Sequence, residues 1–177
     1  VHGRSLGGIE GSSADRVRAK RLAQAQSLAT KIQALQDANP DVHLVVTGDF
    51  NAFEFTDGYV DVLGQITGTI DQSQALVSGP DLVEPDLLNQ SAAIDPGERY
   101  SFIFRGSAQI LDHALTSMAL DMSFRGLEYG RGNADAAIDL INDDSTLARS
   151  SDHDGLVLYL TRDRDDDGVF DSLDVCP

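Results

Sequence analysis

The sequence is poor in basic residues, in cysteine and in long apolar runs. Of its 177 residues only two are Lys and 11 are Arg, against 24 Asp and five Glu, so the formal charge is −16. This charge argues against a protein that binds nucleic acid through a positively charged surface. It does not argue against an enzyme that contacts nucleic acid through a metal ion. The single cysteine excludes an internal disulfide framework. No apolar run reaches the length of a membrane-spanning helix, so stable membrane insertion is not expected.

What the chain does contain is enough apolar residue, 41%, for one ordinary folded domain. The composition changes near residues 161–163. Residues 163–177 carry six Asp and one Arg, and they account for five of the sixteen net negative charges. We therefore expect two units, a globular domain over 1–162 and a short acidic segment over 163–177.

Local patterns in the first unit predict an α/β fold. Apolar residues at spacings of three and four predict a helix over 13–38, which Asn39 and Pro40 end. The β-branched run 42–47 predicts a strand that is covered on both faces. Further segments are predicted as a hairpin of strands 100–104 and 109–116, a loop over 126–133 and a last strand over 156–160.

The first polar motif, Gly48-Asp49-Phe50-Asn51, directly follows the predicted strand 42–47. Asp49 and Asn51 are two residues apart, so in extended backbone both side chains point to one side. A carboxylate can orient or deprotonate a water, and a neutral amide can donate to a phosphoryl oxygen without adding negative charge. The alternative is a common Asp/Asn turn held by local hydrogen bonds.

Two further stretches carry polar side chains that could take part in catalysis. Asp112 lies within a predicted strand whose alternation places it on the face opposite His113. A buried Asp needs a partner, and we expect that partner to be His153, in the motif Ser151-Asp152-His153-Asp154. The alternatives are an edge-strand Asp that faces water and a polar surface turn.

Together these motifs resemble the endonuclease/exonuclease/phosphatase family, whose fold is deoxyribonuclease-like. The matching stretches are GDFNAF at 48–53, ILDHAL at 110–115 and SSDHDGLVLYL at 150–160. The helical stretch RLAQAQSLA at 21–29 resembles the secreted bacterial endonuclease branch, and His2-Gly3-Arg4-Ser5 is similar to a strand of the family that ends in His-x-x-Ser.

The resemblance implies metal-assisted hydrolysis of a phosphodiester, with DNA or RNA as the substrate, by an extracellular enzyme that uses Mg²⁺ or Mn²⁺. The implied catalytic residues are Asp49, Asn51, Asp112, His153 and His2. Asp152 is the implied ligand of the catalytic metal.

It also implies a two-sheet β-sandwich flanked by helices, of which this chain supplies the C-terminal half. The family's first half carries an Asn and a metal-binding Glu that no residue here matches, so an upstream half of the same protein is the expected partner. Two other functions stay open at this point. One is a sphingomyelinase-like or other phosphoesterase, and the other is an inactive, calcium-dependent binding module.

The acidic segment matches the template of a calcium-binding loop. Counted from Asp163, acidic residues and a glycine occupy loop positions 1, 3, 5, 6, 9 and 12, which are Asp163, Asp165, Asp167, Gly168, Asp171 and Asp174. The whole of 163–177 is similar to a thrombospondin type 3 repeat, which implies Ca²⁺ as its ligand and an extracellular location. The alternative is a solvated acidic tail.

Calcium titration tests this interpretation. We expect calorimetry on the 177-residue chain to detect Ca²⁺ binding with a dissociation constant of about a millimolar or tighter, the weak end for extracellular modules. Replacing Asp165 with Asn removes one carboxylate of the template and should weaken that binding. A chain that takes up no calcium at millimolar concentration would contradict the assignment.

Overall fold

The structure is a computed structural model, and it describes residues 1–161. The acidic segment 163–177 lies outside the described residues. Its predicted calcium ligands are therefore not placed, and they are Asp163, Asp165, Asp167, Asp171 and Asp174.

The described residues form a mixed α/β structure with two α-helices and small antiparallel sheets. The helices are α1 (Ala14–Ala38) and α2 (Val62–Thr67). The strands are β1 (Val45–Asp49), β2 (Leu88–Asn89), β3 (Phe102–Phe104), β4 (Ser107–Gln109), β5 (Asp112–Thr116), β6 (Phe124–Gly130) and β7 (Gly155–Leu160). Within 1–161, no helix combines the length and the apolar character that crossing a membrane requires.

Helix α1 covers the first of two apolar cores. Its buried positions follow one another at three or four residues and so share one face, as the sequence predicted. Ala25, Ala29 and Ile32 on this face pack with α2 and with Val46 and Leu115 of the sheet. One buried position on the same face, Arg21, is charged.

The central sheet has the strand order β1-β5-β2, and both pairings are antiparallel. Only one face of β1 is well covered: Val46 packs in the core under α1, whereas Val45 and Thr47 point to the opposite face and are exposed. The prediction of a strand covered on both faces is therefore wrong. Residues 1–3 run beside the end of β1, where the Gly3 amide donates to the Asp49 carbonyl at 2.7 Å.

Strand β5 is the element that lies between both cores. Leu115 points into the core under α1, and Ala114 points into a second core with Ile110, Leu127 and Tyr129. The alternation predicted for this segment is confirmed. The predicted strand 109–116 is not continuous, however, because residues 110 and 111 separate β4 from β5.

Two hairpin-like pairs complete the described fold. Strand β3 pairs with β4, not with β5, through a two-residue turn at Arg105 and Gly106. Both turn residues have positive φ, which matches the twist that a two-residue hairpin requires. Strand β6 pairs with β7. The predicted loop 126–133 is therefore wrong, because Leu127 and Tyr129 alternate into the second core as strand residues do.

His113 is a buried histidine that the fold keeps neutral. Its Nε2 lies 2.9 Å from the carbonyl of Ala52 and so must donate, which leaves Nδ1 to accept from the Asn89 amide at 3.2 Å. Burial lowers the pKa of His113 to about 4. In the unfolded chain an ordinary histidine takes up a proton near pH 6.5.

The chain should consequently lose stability as the pH falls from 6.5 to 4, because only the unfolded state binds this proton. The pKa difference corresponds to about 3 kcal/mol of unfolding free energy at pH 4. Urea denaturation at pH 7 and pH 4.5 measures the loss. His113→Gln should reduce the pH dependence, whereas His43→Gln, at an exposed histidine, should keep it. Equal pH dependence in all three proteins would contradict this assignment.

Candidate functional site

The antiparallel pairing of β1 with β5 places two carboxylates opposite each other. Asp49, the last residue of β1, is in register with Asp112, the first residue of β5. Like charges in this position repel, so further groups must compensate them. Ligand atoms of Asp49, Asp112 and His153 all lie within 4.8 Å of one another.

Asn51 binds the carboxylate of Asp49 through a tight local turn. The backbone amide of Asn51 donates to Asp49 Oδ1 at 2.7 Å, and Asn51 Nδ2 donates to Asp49 Oδ2 at 2.8 Å. The two side chains meet, as predicted, but the stated reason is wrong: Asn51 has φ of 50° and is not extended. Asn51 Nδ2 also reaches the Gly3 carbonyl at 3.2 Å, which attaches the first residues to the site.

His153 makes the contact that was predicted for it. Its Nδ1 lies 2.6 Å from Asp112 Oδ2, and a backbone bridge joins it to Phe102 of β3. The next residue, Asp154, is buried and fixes the loop. It accepts hydrogen bonds from the amides of Asn133 and Ala134 and pairs with Arg131 at 2.9 Å.

These contacts change the protonation of the site in a consistent way. Burial raises the pKa of Asp49, and the nearby Asp112 carboxylate adds to this, while the Asn51 amide opposes it. The hydrogen bond that His153 Nδ1 donates to the Asp112 carboxylate raises the pKa of His153, although partial burial opposes the shift. The imidazole is therefore better able to carry a proton than an ordinary histidine, and the carboxylates attract cations.

The remaining predicted residues lie around the same cavity, which has a volume of about 740 Å³. His2 lies at its edge with a side chain that is 79% exposed, and its Nε2 is 3.4 Å from Asp49 Oδ2. Asp152 also lines the cavity and is exposed, but it does not belong to the group of three close ligand atoms. All the site residues that were predicted within 1–161 therefore line this one cavity.

Sequence reasoning missed the aromatic side of this cavity. Phe102, Phe104 and Gln109 line it, and the ring of Phe102 stacks on the imidazole of His153 with centroids 4.6 Å apart. The signal was present, because alternate residues of a strand share one face and Phe102 and Phe104 are two apart.

Arg21 was missed as well, although it lies under the site. It is only 2% exposed, and its Nη1 donates to the backbone carbonyls of Arg4 and Asn51. Its Nη2 binds Asp57 Oδ2 at 3.0 Å, and Asp57 Oδ1 in turn accepts from two backbone amides of its own loop. One guanidinium therefore connects α1, the first residues and the turn that carries Asn51. The detectable signal was a cation within the apolar stripe of α1.

Comparisons of this chain with protein-family models, with curated proteins and with solved structures gave no match.

Replacing Arg21 with Met should destabilise the chain strongly. The change leaves the Asp57 carboxylate buried without its cation and removes the donor to two carbonyls, a loss that typically costs about 3–5 kcal/mol. Arg16→Met is the matched control, because Arg16 is exposed on the same helix and its loss should cost less than about 0.5 kcal/mol. Urea denaturation measures both, and equal effects would contradict the anchoring role of Arg21.

Proposed function

We propose that this chain carries part of the active site of a metal-dependent phosphodiester hydrolase, an extracellular endonuclease that cleaves DNA or RNA. The observation that carries the proposal is the convergence of Asp49, Asn51, Asp112 and His153 on one cavity. These residues come from three stretches far apart in the sequence. Each stretch matches, in order, a motif of the endonuclease/exonuclease/phosphatase family.

The donor set at the site suits a hard divalent cation such as Mg²⁺ or Mn²⁺. Carboxylate oxygens are the protein ligands that such ions prefer. Among the described residues no donor contacts Asp112 Oδ1, and burial has raised the pKa of Asp49, a shift that a bound cation would oppose. We propose that Asp49 and Asp112 hold the ion, with Asp152 as a further carboxylate at the rim. When bound, the ion neutralises charge that develops on the phosphoryl oxygens.

Asp49 and Asn51 are proposed to handle the attacking water. Asp49 faces the cavity beside the proposed ion, so its carboxylate can orient this water or take its proton. Asn51 is fixed by its bonds to Asp49 and Gly3. Because these two bonds use both Nδ2 hydrogens, Asn51 can hold the water through Oδ1 without adding charge to the acidic cavity. Holding a phosphoryl oxygen instead would require one of the two bonds to be exchanged for it.

His153 is proposed to act on the phosphate or on the leaving group. Nδ1 donates to Asp112, which leaves Nε2 to face the substrate, and the raised pKa makes this ring easier to protonate than an ordinary histidine. Stacking on Phe102 fixes the plane of the ring. His2, near Asp49, is in position to contact the same phosphate.

The proposal includes the family's fold and its division between two halves. We propose that the small sheets of 1–161 are half of a two-sheet sandwich, completed by an upstream half of the same protein. Among the described residues, no glutamate lines the cavity, so the metal-binding Glu that the resemblance implies would come from that half. The segment 163–177 is proposed to bind Ca²⁺ outside the cell.

Cleavage assays on the protein that contains this chain test the proposal. We expect hydrolysis of DNA or RNA with Mg²⁺ or Mn²⁺, loss of activity on chelation, and recovery when the ion is returned. Asp49→Asn and His153→Ala should each lower turnover by about a hundredfold or more, because each removes a group that acts on the reacting atoms.

The matched controls are Asp41→Asn and His43→Ala, at exposed residues that precede β1, and both should cleave normally. Thermal melting establishes that all four variants fold. Near-normal cleavage by Asp49→Asn and His153→Ala would overturn the assignment. Hydrolysis of sphingomyelin without cleavage of nucleic acid would overturn the substrate class.

A further inference from the structure

A row of three stacked rings runs along one side of the proposed active site. Phe102 stacks on His153 with centroids 4.6 Å apart and an interplanar angle of 24°. Phe102 is also nearly parallel to Phe104, with centroids 6.3 Å apart and an angle of 21°. We call His153, Phe102 and Phe104 the aromatic row. It begins at the imidazole that binds Asp112 and ends at the turn of the β3–β4 hairpin.

The outer end of the aromatic row is open to solvent. Phe104 is 48% exposed and lines the cavity that holds Asp49 and Asp112. The guanidinium of Arg105 lies 5.2 Å from the centroid of its ring. The guanidinium lies over the face of the ring and is itself exposed. A flat, electron-rich ligand can therefore stack on the ring when the guanidinium moves aside, or on the guanidinium itself.

We infer that Phe104, which packs against Phe102, is a base-stacking subsite that makes unpaired nucleotides the preferred substrate. The inference rests on the proposed function, because the subsite acts on a chain whose phosphate lies at Asp49 and His153. Every nucleobase has a flat face, so stacking on a phenyl ring tolerates any sequence. Bases within a duplex cover one another's faces, and a base must leave the stack, at a cost of a few kcal/mol, before Phe104 can reach it.

The acidic character of the chain makes this source of binding important. A formal charge of −16 gives little general attraction for a polyanion. Stacking does not depend on net charge, and Arg105 adds one local cation at the end of the aromatic row.

Cleavage of matched substrates tests the preference. The protein that contains this chain is given a single-stranded oligonucleotide and a duplex of the same sequence. Phe104→Leu keeps an apolar side chain but removes the ring, and it should lower the ratio of single-strand to duplex kcat/KM by about five- to tenfold. The control Phe55→Leu alters a phenylalanine that is 69% exposed and does not line this cavity, and it should keep the ratio.

A binding measurement makes the subsite testable without turnover. The 177-residue chain has no tryptophan, so Phe104→Trp in this chain introduces a single reporter whose fluorescence a stacked base quenches. With EDTA present to stop cleavage, single-stranded oligonucleotide should quench it at lower concentration than duplex does. Phe55→Trp should respond to neither.

The outcomes separate the two levels of the proposal. A wild-type protein that cleaves no nucleic acid refutes the proposed function. Cleavage with a ratio that Phe104→Leu leaves unchanged, or a Phe104→Trp signal that does not distinguish the two oligonucleotides, refutes the subsite alone. If Phe104→Leu is less stable than Phe55→Leu and the ratio is unchanged, the ring has a packing role and the subsite is also refuted.

Discussion

The antiparallel register of β1 and β5 is the constraint on which the site depends. It sets Asp49 opposite Asp112, a placement that repulsion between like charges disfavours. The structure offsets this with hydrogen bonds: Asn51 binds one carboxylate with two donors, and His153 binds the other through Nδ1. The fold thus keeps an acidic pair together and leaves it short of positive charge, which is the condition that a cation-binding site requires.

Two buried charged residues, Arg21 and Asp154, bind the loops around this pair. Arg21 donates to the carbonyl of Asn51, and Asp154, next to His153, accepts from the amides of Asn133 and Ala134. Both are almost fully buried, and each contacts backbone groups of segments distant in sequence. Such anchors position a loop closely, since a buried charge that loses its partners costs several kcal/mol. Precise positioning of a water or a phosphate requires loops of this kind.

Strand periodicity predicted more of the site than local turn chemistry did. Alternation along β5 separated Asp112 from His113, and need for a partner then selected His153, a contact that the structure contains. The same alternation holds for Leu127 and Tyr129, which lie in β6 and not in the predicted loop. The left-handed turn at Asn51 is held by local hydrogen bonds to Asp49, as in the Asp/Asn turn that the sequence offered as an alternative. The position of Arg21 depends on contacts between distant segments, and no single stretch of sequence encodes it.

The acidity of the chain and the exposed ring of Phe104 together bear on how the proposed nuclease would bind nucleic acid. An acidic enzyme gains little from counterion release, so its affinity for nucleic acid must come from bound divalent ions and from contacts with the bases. In the proposed site the divalent ion is held by the carboxylates of Asp49 and Asp112. Base contacts are open only where strands are unpaired, and Phe104 offers such a contact beside that pair. Both sources of affinity therefore operate within one cavity, so substrate binding and positioning of the reacting phosphate are linked.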